Sequence, residues 1–361
     1  MTDRPLVIIT TELPPAMCGI GTYSWLLRTY LPNEFSRVEF LVKKKTAGAQ
    51  TTPRGDRLTA FDGSPDKLAA ALERVGTANV LFHYAGRAYQ RFGSPAWMPR
   101  VLANWKKKFP DSRLFIVVHE LPAKFPITSR HFWLGKMSDR VVARLARAAD
   151  VLVTNSAHHV KRLRTITGRE DVRFLPNASN IESALDPGTP RARTEFVIFG
   201  LPFGRWQTLE LFQDRIRQWS AAGLLTKLHL VGPADGVFAA KGAGLIDDAI
   251  VVHHGEISSN KIGALLRRVG FALTNASEET WSKSTTFMAC VTNECPIVVA
   301  TSRSDGGPFF NTIGTDEVAT ISETELARRT KALVDWYRVE ADWPIVASRL
   351  TALWPNERSN R

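Results

Sequence analysis

One histidine stands where an α/β protein would use it for chemistry. His119 ends the run Arg113–His119, which the pattern of apolar residues predicts to be a β-strand. A side chain directly after a parallel strand lies at the carboxyl edge of the sheet, where α/β proteins bind ligands. An imidazole there can hydrogen-bond a sugar hydroxyl or a phosphate, and we expect its pKa to lie near neutrality. A histidine that serves only packing remains the alternative.

Two glycines follow the first predicted strand, in the segment PPAMCGIGTYSWLL. Gly19 and Gly21 lie where this segment turns into a helix. Glycines in such a turn let backbone N–H groups approach an anion, and the helix dipole assists. The pattern is not GxGxxG, so glycines that merely shape a β–α turn remain the other interpretation.

A cluster of charged and hydroxyl side chains lies in the segment SEETWSKSTT. It contains Glu278, Glu279 and Lys283, followed by Ser284 and Thr285 at the predicted start of a helix. Hydroxyls, a lysine and free backbone N–H groups at a helix N-terminus suit a diphosphate. An ordinary Ser/Thr helix cap beside a solvated lysine would have the same sequence.

Two basic segments lie in the first half of the chain. His83–Pro110 combines aromatic residues with basic ones, among them Arg87 and Arg91, and Lys43–Lys45 is a run of three lysines. Such surfaces could bind single-stranded nucleic acid, carbohydrate rings or lipid headgroups, and a solvated surface is the alternative. Because no zinc finger, RRM signature or P-loop accompanies them, we expect no nucleic-acid partner.

The remaining histidine pairs and the metal-ligand patterns are less informative. His158–His159 and His253–His254 lack ligand partners at suitable spacing, so we interpret both pairs as surface residues. The chain has no D-x-D triplet and no His/Cys/Asp cluster with metal spacing. We therefore expect no metal requirement and no cofactor. A G-x-S-x-G element of the hydrolase type is also absent from the sequence.

Short β-branched runs alternate with longer helical patterns along the whole chain, which is typical of parallel α/β architecture. The strands predicted in the first half are Leu6–Thr10, Val38–Lys43, Val80–His83, Arg113–His119, Val151–Asn155 and Val172–Leu175. Those predicted in the second half are Glu195–Phe199, Lys227–Val231, Ile250–His253, Phe271–Thr274 and Pro296–Val299. The predicted helices include Tyr23–Tyr30, Trp97–Lys108, Arg140–Ala149, Thr208–Ala221 and Asn260–Val269.

A change of pattern near the middle predicts two domains. Glu182–Thr194 lacks hydrophobic periodicity and carries two prolines and a glycine, so we interpret it as a linker. The expected domains are 1–185 and 195–361, both doubly wound and Rossmann-like, facing a central cleft. Glu323–Trp354 reads as a closing helix pair broken at Pro344, which packs back on the first domain.

The charge of the chain is distributed unevenly. The 361 residues carry a net charge of +12, with 28 Lys and Arg against 16 Asp and Glu in residues 1–190, and 19 of each thereafter. This asymmetry indicates an anionic partner for the first domain. Three cysteines, no signal-peptide pattern and no long apolar run indicate a cytoplasmic protein, with any membrane contact peripheral on the inner face of the plasma membrane.

Several short sequence motifs, each weak by itself, occur in a specific order along the chain. After the glycine loop and His119 come a strand with a TNS turn, a second strand ending in LPN, then LVGP at Leu230–Pro233 and the segment HHGEISSNKIGALLRRVGFALTNASEE. This order resembles glycosyltransferase family 4, nucleotide-sugar-dependent enzymes of the GT-B fold. The family places two glutamates here, the second on a helix. Aligned on Glu278 or Glu279, the second position holds Thr286 or Phe287, so that glutamate is absent.

The resemblance implies a division of roles between the domains. A nucleoside-diphosphate sugar would bind the second domain through Glu278, Lys283, Ser284, Thr285 and Arg205, with Gly19 and Gly21 contributing from the first. His119 and Glu279 would orient donor-sugar hydroxyls as the catalytic pair. Arg87 and Arg91 would bind a glycan or lipid-linked acceptor. Arg205, Lys283 and helix N-termini, rather than Mg²⁺, would neutralise the departing diphosphate.

The expected activity is sugar transfer in polysaccharide or glycoconjugate biosynthesis, with the anomeric configuration retained. Two alternatives remain. One is a GT-B-like protein that binds a nucleotide sugar or glycan without catalysis, which the missing glutamate favours. The other is a sugar-nucleotide epimerase or phosphorylase on the same fold.

Overall fold

A computed structural model of the chain describes residues 4–32, 35, 37–45, 52, 54–122, 125–129, 131–184, 190–242 and 244–354. The chain divides into two compact units. The first comprises Met1–Pro176 and Trp343–Arg361, and the second comprises Asn177–Asp342. Asn177–Ala184, expected in the first domain, belong to the second unit. The expected closing helix pair is divided, since Glu323–Asp342 belongs to the second unit and Trp343–Trp354 belongs to the first.

The first unit is built on a parallel sheet. In the described residues its strands are β1 (Leu6–Thr10), β2 (Val38–Val42), β3 (Arg57–Ala60), β4 (Asn79–Tyr84), β5 (Arg113–Val118), β6 (Val151–Thr154) and β7 (Arg173–Phe174). Their order across the sheet is β3-β2-β1-β4-β5-β6-β7. The central strands β1 and β4 are mostly apolar and buried along their whole length, as is typical of a parallel sheet covered by helices on both faces.

The helices of the first unit in the described residues are α1 (Gly19–Tyr30), α2 (Pro65–Val75), α3 (Gly86–Tyr89), α4 (Trp97–Lys108), α5 (Phe132–Ala148), α6 (Ala157–Thr167) and the late helix α12 (Trp343–Ala352). Helix α12 packs on α1, and the Trp343 ring lies 5.1 Å from that of Tyr23 and 6.0 Å from that of Tyr30. These aromatic contacts explain why the end of the chain returns to the first unit.

The second unit repeats the same plan. Its described strands are β8 (Ala192–Phe199), β9 (Lys227–Val231), β10 (Val251–Gly255), β11 (Val269–Thr274), β12 (Ile297–Val299) and β13 (Ile313–Gly314), in the order β10-β9-β8-β11-β12-β13. Its described helices are α7 (Pro202–Ala221), α8 (Gly236–Gly242), α9 (Ser259–Arg268), α10 (Thr285–Thr292) and α11 (Glu323–Glu340). Each sheet therefore has a topological switch point, between β1 and β4 and between β8 and β11.

The predicted alternation of strands and helices is confirmed, with differences at several ends. Two strands were not predicted, the half-exposed β3 and the two-residue β13. Helix α5 begins at Phe132 rather than Arg140, and α7 begins at Pro202 rather than Thr208. Residues 185–189 of the expected linker lie outside the described residues, and its last three residues belong to β8. The expected helix pair is α11 and α12, with Pro344 in the first turn of α12, where proline is tolerated.

Candidate functional site

Two glycines bring the backbone of two loops close together at the carboxyl edge of the second sheet. Gly200 follows β8 and Gly232 follows β9, with φ of 128° and 134°. A Cβ on Gly232 would lie 2.2 Å from the backbone oxygen of Gly200, and one on Gly200 would lie 3.4 Å from Thr286 Oγ1. Only glycine fits these conformations without strain, so the backbone itself lines the carboxyl edge where β8 and β9 end.

An arginine is held rigidly at this edge. Arg205 lies in the first turn of α7, and its Nη1 donates to the Gly232 oxygen at 3.0 Å while its Nη2 donates to the Pro233 oxygen. Partial burial lowers the pKa of this guanidinium, yet an arginine stays charged at physiological pH. The two carbonyls thus position a permanent cation beside the N-terminus of α7, which itself attracts anions.

The N-terminus of α10 adjoins the same glycine edge. Ser284 caps the helix, its Oγ accepting from the Phe287 N–H at 3.1 Å, and Thr285 is the first helical residue. The helix-cap interpretation of Ser284 is therefore confirmed, although its hydroxyl hydrogen is still available to a ligand. The preceding turn is tied down as well, because Asn177 Nδ2 donates to the Lys283 oxygen at 2.7 Å.

The two glutamates of this region have different surroundings. Glu278 is exposed, and its Oε2 accepts from the Ser304 N–H at 3.0 Å, which joins the loop after β11 to the loop after β12. Glu279 is also exposed. Sequence reasoning missed a polar link across the switch point, where Asn275 Nδ2 donates to Gln207 Oε1 at 3.2 Å. Gly200, which precedes α7, could have indicated this edge from the sequence. The pairing of Gln207 with Asn275 could not have been inferred in that way.

The first sheet ends in a buried chain of hydrogen bonds. His83 Nδ1 lies 3.0 Å from His119 Nε2, and His119 Nδ1 lies 3.2 Å from Asn155 Nδ2. The three side chains come from β4, from the residue after β5 and from the residue after β6. His119 is only 7 % exposed and His83 is fully buried. Both ring nitrogens of His119 are thus engaged inside the first unit.

The environment of this histidine pair makes it neutral. Burial lowers the pKa of His119 to about 4, and burial together with the neighbouring His119 lowers the pKa of His83 well below its usual value. The expectation that His119 titrates near neutrality is therefore wrong, because desolvation penalises the imidazolium form. The Tyr23 ring, 5.1 Å from that of His119 and 5.5 Å from that of His83, excludes water from one side.

The hydrogen bonds define one tautomer of each ring. With the Asn155 amide donating to His119 Nδ1, the His119 proton lies on Nε2 and points to His83 Nδ1. His83 then carries its proton on Nε2, which has no hydrogen-bond partner among the residues that the structure describes. This orientation follows from the placement of the Asn155 amide nitrogen. The chain of donors fixes the ring plane of His119, which is what a positioned polar group requires.

Several solved proteins have a similar fold over nearly the whole chain. Sucrose-phosphate synthase from Thermosynechococcus elongatus is 14% identical with a TM-score of 0.67, and the match covers 97% of this chain and 98% of that one. WaaG, a glycosyltransferase involved in lipopolysaccharide biosynthesis, is 10% identical with a TM-score of 0.65, covering 97% and 100%. An alpha-glucosyltransferase in complex with UDP-glucose and DNA is 11% identical with a TM-score of 0.59, covering 97% and 99%.

The chain has the GT-B fold. No protein-family model matches its sequence, and no curated protein matches it.

The remaining predicted site residues lie at different places in this GT-B chain. Gly19 begins α1 with open space at its Cβ position, whereas a Cβ on Gly21 would lie 1.5 Å from the Glu12 oxygen. Gly21 therefore serves the close packing of the β1–α1 turn. Arg87 and Arg91 are both exposed, and the Arg91 guanidinium lies over the Phe92 ring at 5.6 Å.

The histidines interpreted as surface residues differ in how far they are exposed. His253 is exposed, as expected. His159 is only 8 % exposed, so its interpretation as a surface residue is wrong, because its ring faces the sheet near Thr154. His254 is half-buried, with its Nε2 2.9 Å from His229 Nδ1. In the described part of the chain, no group of three His, Cys, Asp or Glu side chains is arranged to hold a metal ion.

Proposed function

We propose that the protein is a glycosyltransferase that takes a sugar from a nucleoside-diphosphate sugar. The observation that carries the proposal is the edge formed by Gly200, Gly232 and the immobilised Arg205, with two helix N-termini beside it. Backbone N–H groups, a fixed guanidinium and helix dipoles form an environment that stabilises a diphosphate. The similarity to an alpha-glucosyltransferase in complex with UDP-glucose supports a uridine nucleotide as the first donor to test.

The departing diphosphate is the group that this edge would stabilise. Glycosyl transfer develops positive charge on the sugar and negative charge on the leaving phosphate, so a fixed cation at the phosphate lowers the barrier. Arg205 would supply that charge, with Lys283, the Ser284 hydroxyl and the N–H of Thr285 as further donors. Glu278 and Glu279 follow β11 at the same edge, where Glu279 would orient a donor-sugar hydroxyl. No acid stands at the second glutamate position on α10, so the ribose contact needs another group.

We assign His119 to the donor sugar as a neutral hydrogen-bonding group, with Gly19 at the adjoining helix start. A sugar hydroxyl that replaces the Asn155 amide at Nδ1 would leave the bond to His83 intact. The acceptor, a glycan or a lipid-linked molecule, would bind through Arg87 and Arg91, since exposed cations suit an anionic acceptor. By resemblance to family 4, the donor phosphate would help to deprotonate the acceptor hydroxyl and the anomeric configuration would be retained, without a metal ion.

A second candidate function is a non-catalytic protein that binds a nucleotide sugar or a glycan. Two observations favour it: the missing acid on α10, and the engagement of both His119 nitrogens inside the first unit. A binder would use the same diphosphate edge. The two functions therefore differ in turnover and not in nucleotide affinity.

Thermal unfolding with nucleotides tests the donor site. UDP, GDP, ADP and dTDP are compared, each at high excess, because a ligand at about 100 Kd stabilises the folded state by about 2.7 kcal/mol. One nucleotide should raise the Tm of the wild type. Arg205→Ala should weaken its binding about 10- to 100-fold, since hydrogen bonds to charged groups contribute about 1.5–3 kcal/mol.

Arg217→Ala is the matched control, since Arg217 lies on the same helix and pairs only at the surface with Asp214 at 3.1 Å. Lys283→Ala and its control Lys261→Ala form a second pair. If no nucleotide raises the Tm, or if Arg217→Ala weakens binding as much as Arg205→Ala, the diphosphate site is refuted. Slow hydrolysis of the matching sugar nucleotide by the wild type would identify an enzyme, and its absence with intact binding would identify a binder.

A further inference from the structure

Helix α5 presents a solvent face of unusual composition. Trp133 is 66 % exposed and Met137 is 48 % exposed, one turn apart near the start of the helix. Lys136, Arg140 and Arg147 continue the exposed face toward its end. Together they give an amphipathic helix with large apolar side chains at one end and cations along its length. Among the described residues, no helix is long and apolar enough to span a bilayer.

A groove of about 770 Å³ runs between α5 and α6 and widens this basic face. Its cations are Lys136, Arg140 and Arg147 from α5, with Lys161 and Arg162 from α6. Asp139 is the one acidic side chain in its lining, and it pairs with Arg162 at 3.1 Å. Within the described part of the chain, the other four cations form no ion pair, so the groove keeps a net positive charge.

Helix α4, which the sequence singled out for its lysines, is different. Lys106 pairs with Asp150 at 2.5 Å and Lys108 pairs with Glu73 at 3.1 Å. Two of the four basic side chains of α4 are therefore paired, whereas only one of the five groove cations on α5 and α6 is paired within the described residues.

The apolar end of the α5 face has a defined place in the first unit. Helix α5 follows β5, so Trp133 lies at the carboxyl edge of the sheet, the edge that also carries His119. Ile127, in the loop between β5 and α5, is 75 % exposed and adds a third large apolar side chain. Exposure of several large apolar side chains to water is unfavourable. Such clusters are typical of surfaces whose side chains enter the headgroup layer of a membrane.

We propose that the α5–α6 face, defined as Ile127, Trp133, Met137 and the groove cations, docks on a bilayer that carries anionic lipid. The cations contact lipid phosphates while Ile127, Trp133 and Met137 enter the interface. Charge complementarity identifies the occupant, because four unpaired cations beside exposed apolar side chains match an anionic surface with an apolar interior. A single-stranded nucleic acid would satisfy the cations but would leave Ile127 and Met137 without an apolar environment.

Vesicle sedimentation with the full chain tests the docking face. Phosphatidylcholine vesicles with about one third phosphatidylserine should bind the wild type, and neutral phosphatidylcholine vesicles should bind it far more weakly. Arg140→Gln/Lys161→Gln should lower the partition coefficient about 30-fold, at roughly 5-fold for each basic side chain removed. Trp133→Ser should lower it about 10-fold by removing a buried apolar group.

Arg100→Gln/Lys107→Gln is the matched control, because it removes the same charge from exposed positions on α4. It should change the partition coefficient less than 3-fold, and all variants should keep the wild-type Tm. Equal binding to neutral vesicles, or equal loss in the α4 control, overturns the proposal. So does an oligonucleotide that binds the wild type and is lost in Arg140→Gln/Lys161→Gln while vesicle binding persists. None of these outcomes depends on nucleotide binding, so the docking face and the proposed activity are tested separately.

Discussion

The two parallel sheets differ at their carboxyl edges. The first sheet fills its edge with buried side chains, the His83–His119–Asn155 chain beneath Tyr23. The second sheet leaves its edge to backbone, because Gly200 and Gly232 approach each other too closely for any side chain. The same type of parallel sheet thus carries a buried polar network at the edge of one unit, and closely approaching backbone with a fixed arginine at the edge of the other.

The charge at each edge is the opposite of what the net charge of that half of the chain would suggest. Residues 1–190 carry the excess of Lys and Arg, yet the edge that they form holds two neutral imidazoles. Residues 191–361 are balanced, yet their edge holds the fixed Arg205 guanidinium and two helix N-termini. The net charge of a half therefore does not locate its fixed cations, because these depend on local backbone geometry.

The largest expected effect comes from closing the open edge. Gly232→Ala places a Cβ 2.2 Å from the Gly200 oxygen at a φ of 134°, a backbone conformation that alanine rarely adopts. We expect a loss of about 3 kcal/mol or more in the free energy of unfolding, measured by urea titration. The Tm increase with the cognate nucleotide should disappear, because the Gly200 backbone and the Arg205 guanidinium must shift.

Gly236→Ala is the control for this change, since the Cβ position of Gly236 meets no atom within 4 Å. It should leave the free energy of unfolding within about 1 kcal/mol of wild type. A Gly232→Ala protein of wild-type stability would show that the two loops separate readily, and the contrast between a filled and a bare edge would lose its structural basis.

An intermediate effect is expected from acid at the filled edge. The pKa of His119 is about 4 in the folded chain, below its unfolded value, so the unfolded state binds protons first as the pH falls. Stability is full above about pH 6.5 and is lost progressively toward pH 4. Between pH 7.5 and 5, we expect His119 to account for a fall of about 2 kcal/mol in the free energy of unfolding.

His119→Gln should remove this portion of the pH dependence, while the exposed control His253→Gln should retain it. The measurement is a series of urea titrations from pH 7.5 to 5. The free energy of unfolding of His119→Gln could instead fall with pH as steeply as that of the wild type. Protonation of His119 would then not oppose folding, and the His83–His119–Asn155 chain would not be the neutral network described above.

The sequence predicted the strands and helices that form both edges better than it predicted the side-chain contacts at those edges. Strands β1 and β9 were predicted with the observed bounds, since β1 is almost entirely apolar and β9 alternates polar residues with Leu228 and Leu230. Strand β3 was missed because Arg57–Ala60 is short, half-exposed and lies at the edge of its sheet. The start of α5 was missed because His131 supplies no side-chain cap that would mark it.

The contents of the edges depend on pairings that are distant in sequence. His119 was identified from its place after a strand, but its partner His83 was not, because their contact depends on the register that pairs His83 with Val117 across β4 and β5. In the same way, the sequence indicated Arg205 as a basic residue near a phosphate. Only the structure shows that the carbonyls after β9 hold it in place.

The smallest expected effect separates a helix cap from a ligand contact. Ser284 caps α10 in the second unit as Ser156 caps α6 in the first, where Ser156 Oγ accepts from the His159 N–H at 3.4 Å. Replacing either serine with alanine should cost about 1 kcal/mol in the free energy of unfolding, and glycine should cost only a few tenths. Ser284→Gly therefore removes the hydroxyl while largely sparing the helix.

If the Ser284 hydroxyl also donates to a diphosphate, Ser284→Gly should weaken the binding of the cognate nucleotide about 10-fold, the low end for a hydrogen bond to a charged group. Ser156→Gly should leave nucleotide binding unchanged, because the first edge contributes no phosphate contact through that residue. Isothermal titration of the wild type and the two glycine variants gives the affinities. Equal nucleotide affinity in wild type and Ser284→Gly would reduce Ser284 to a cap like Ser156, and the anion site of the second edge would then consist of Arg205 and backbone alone.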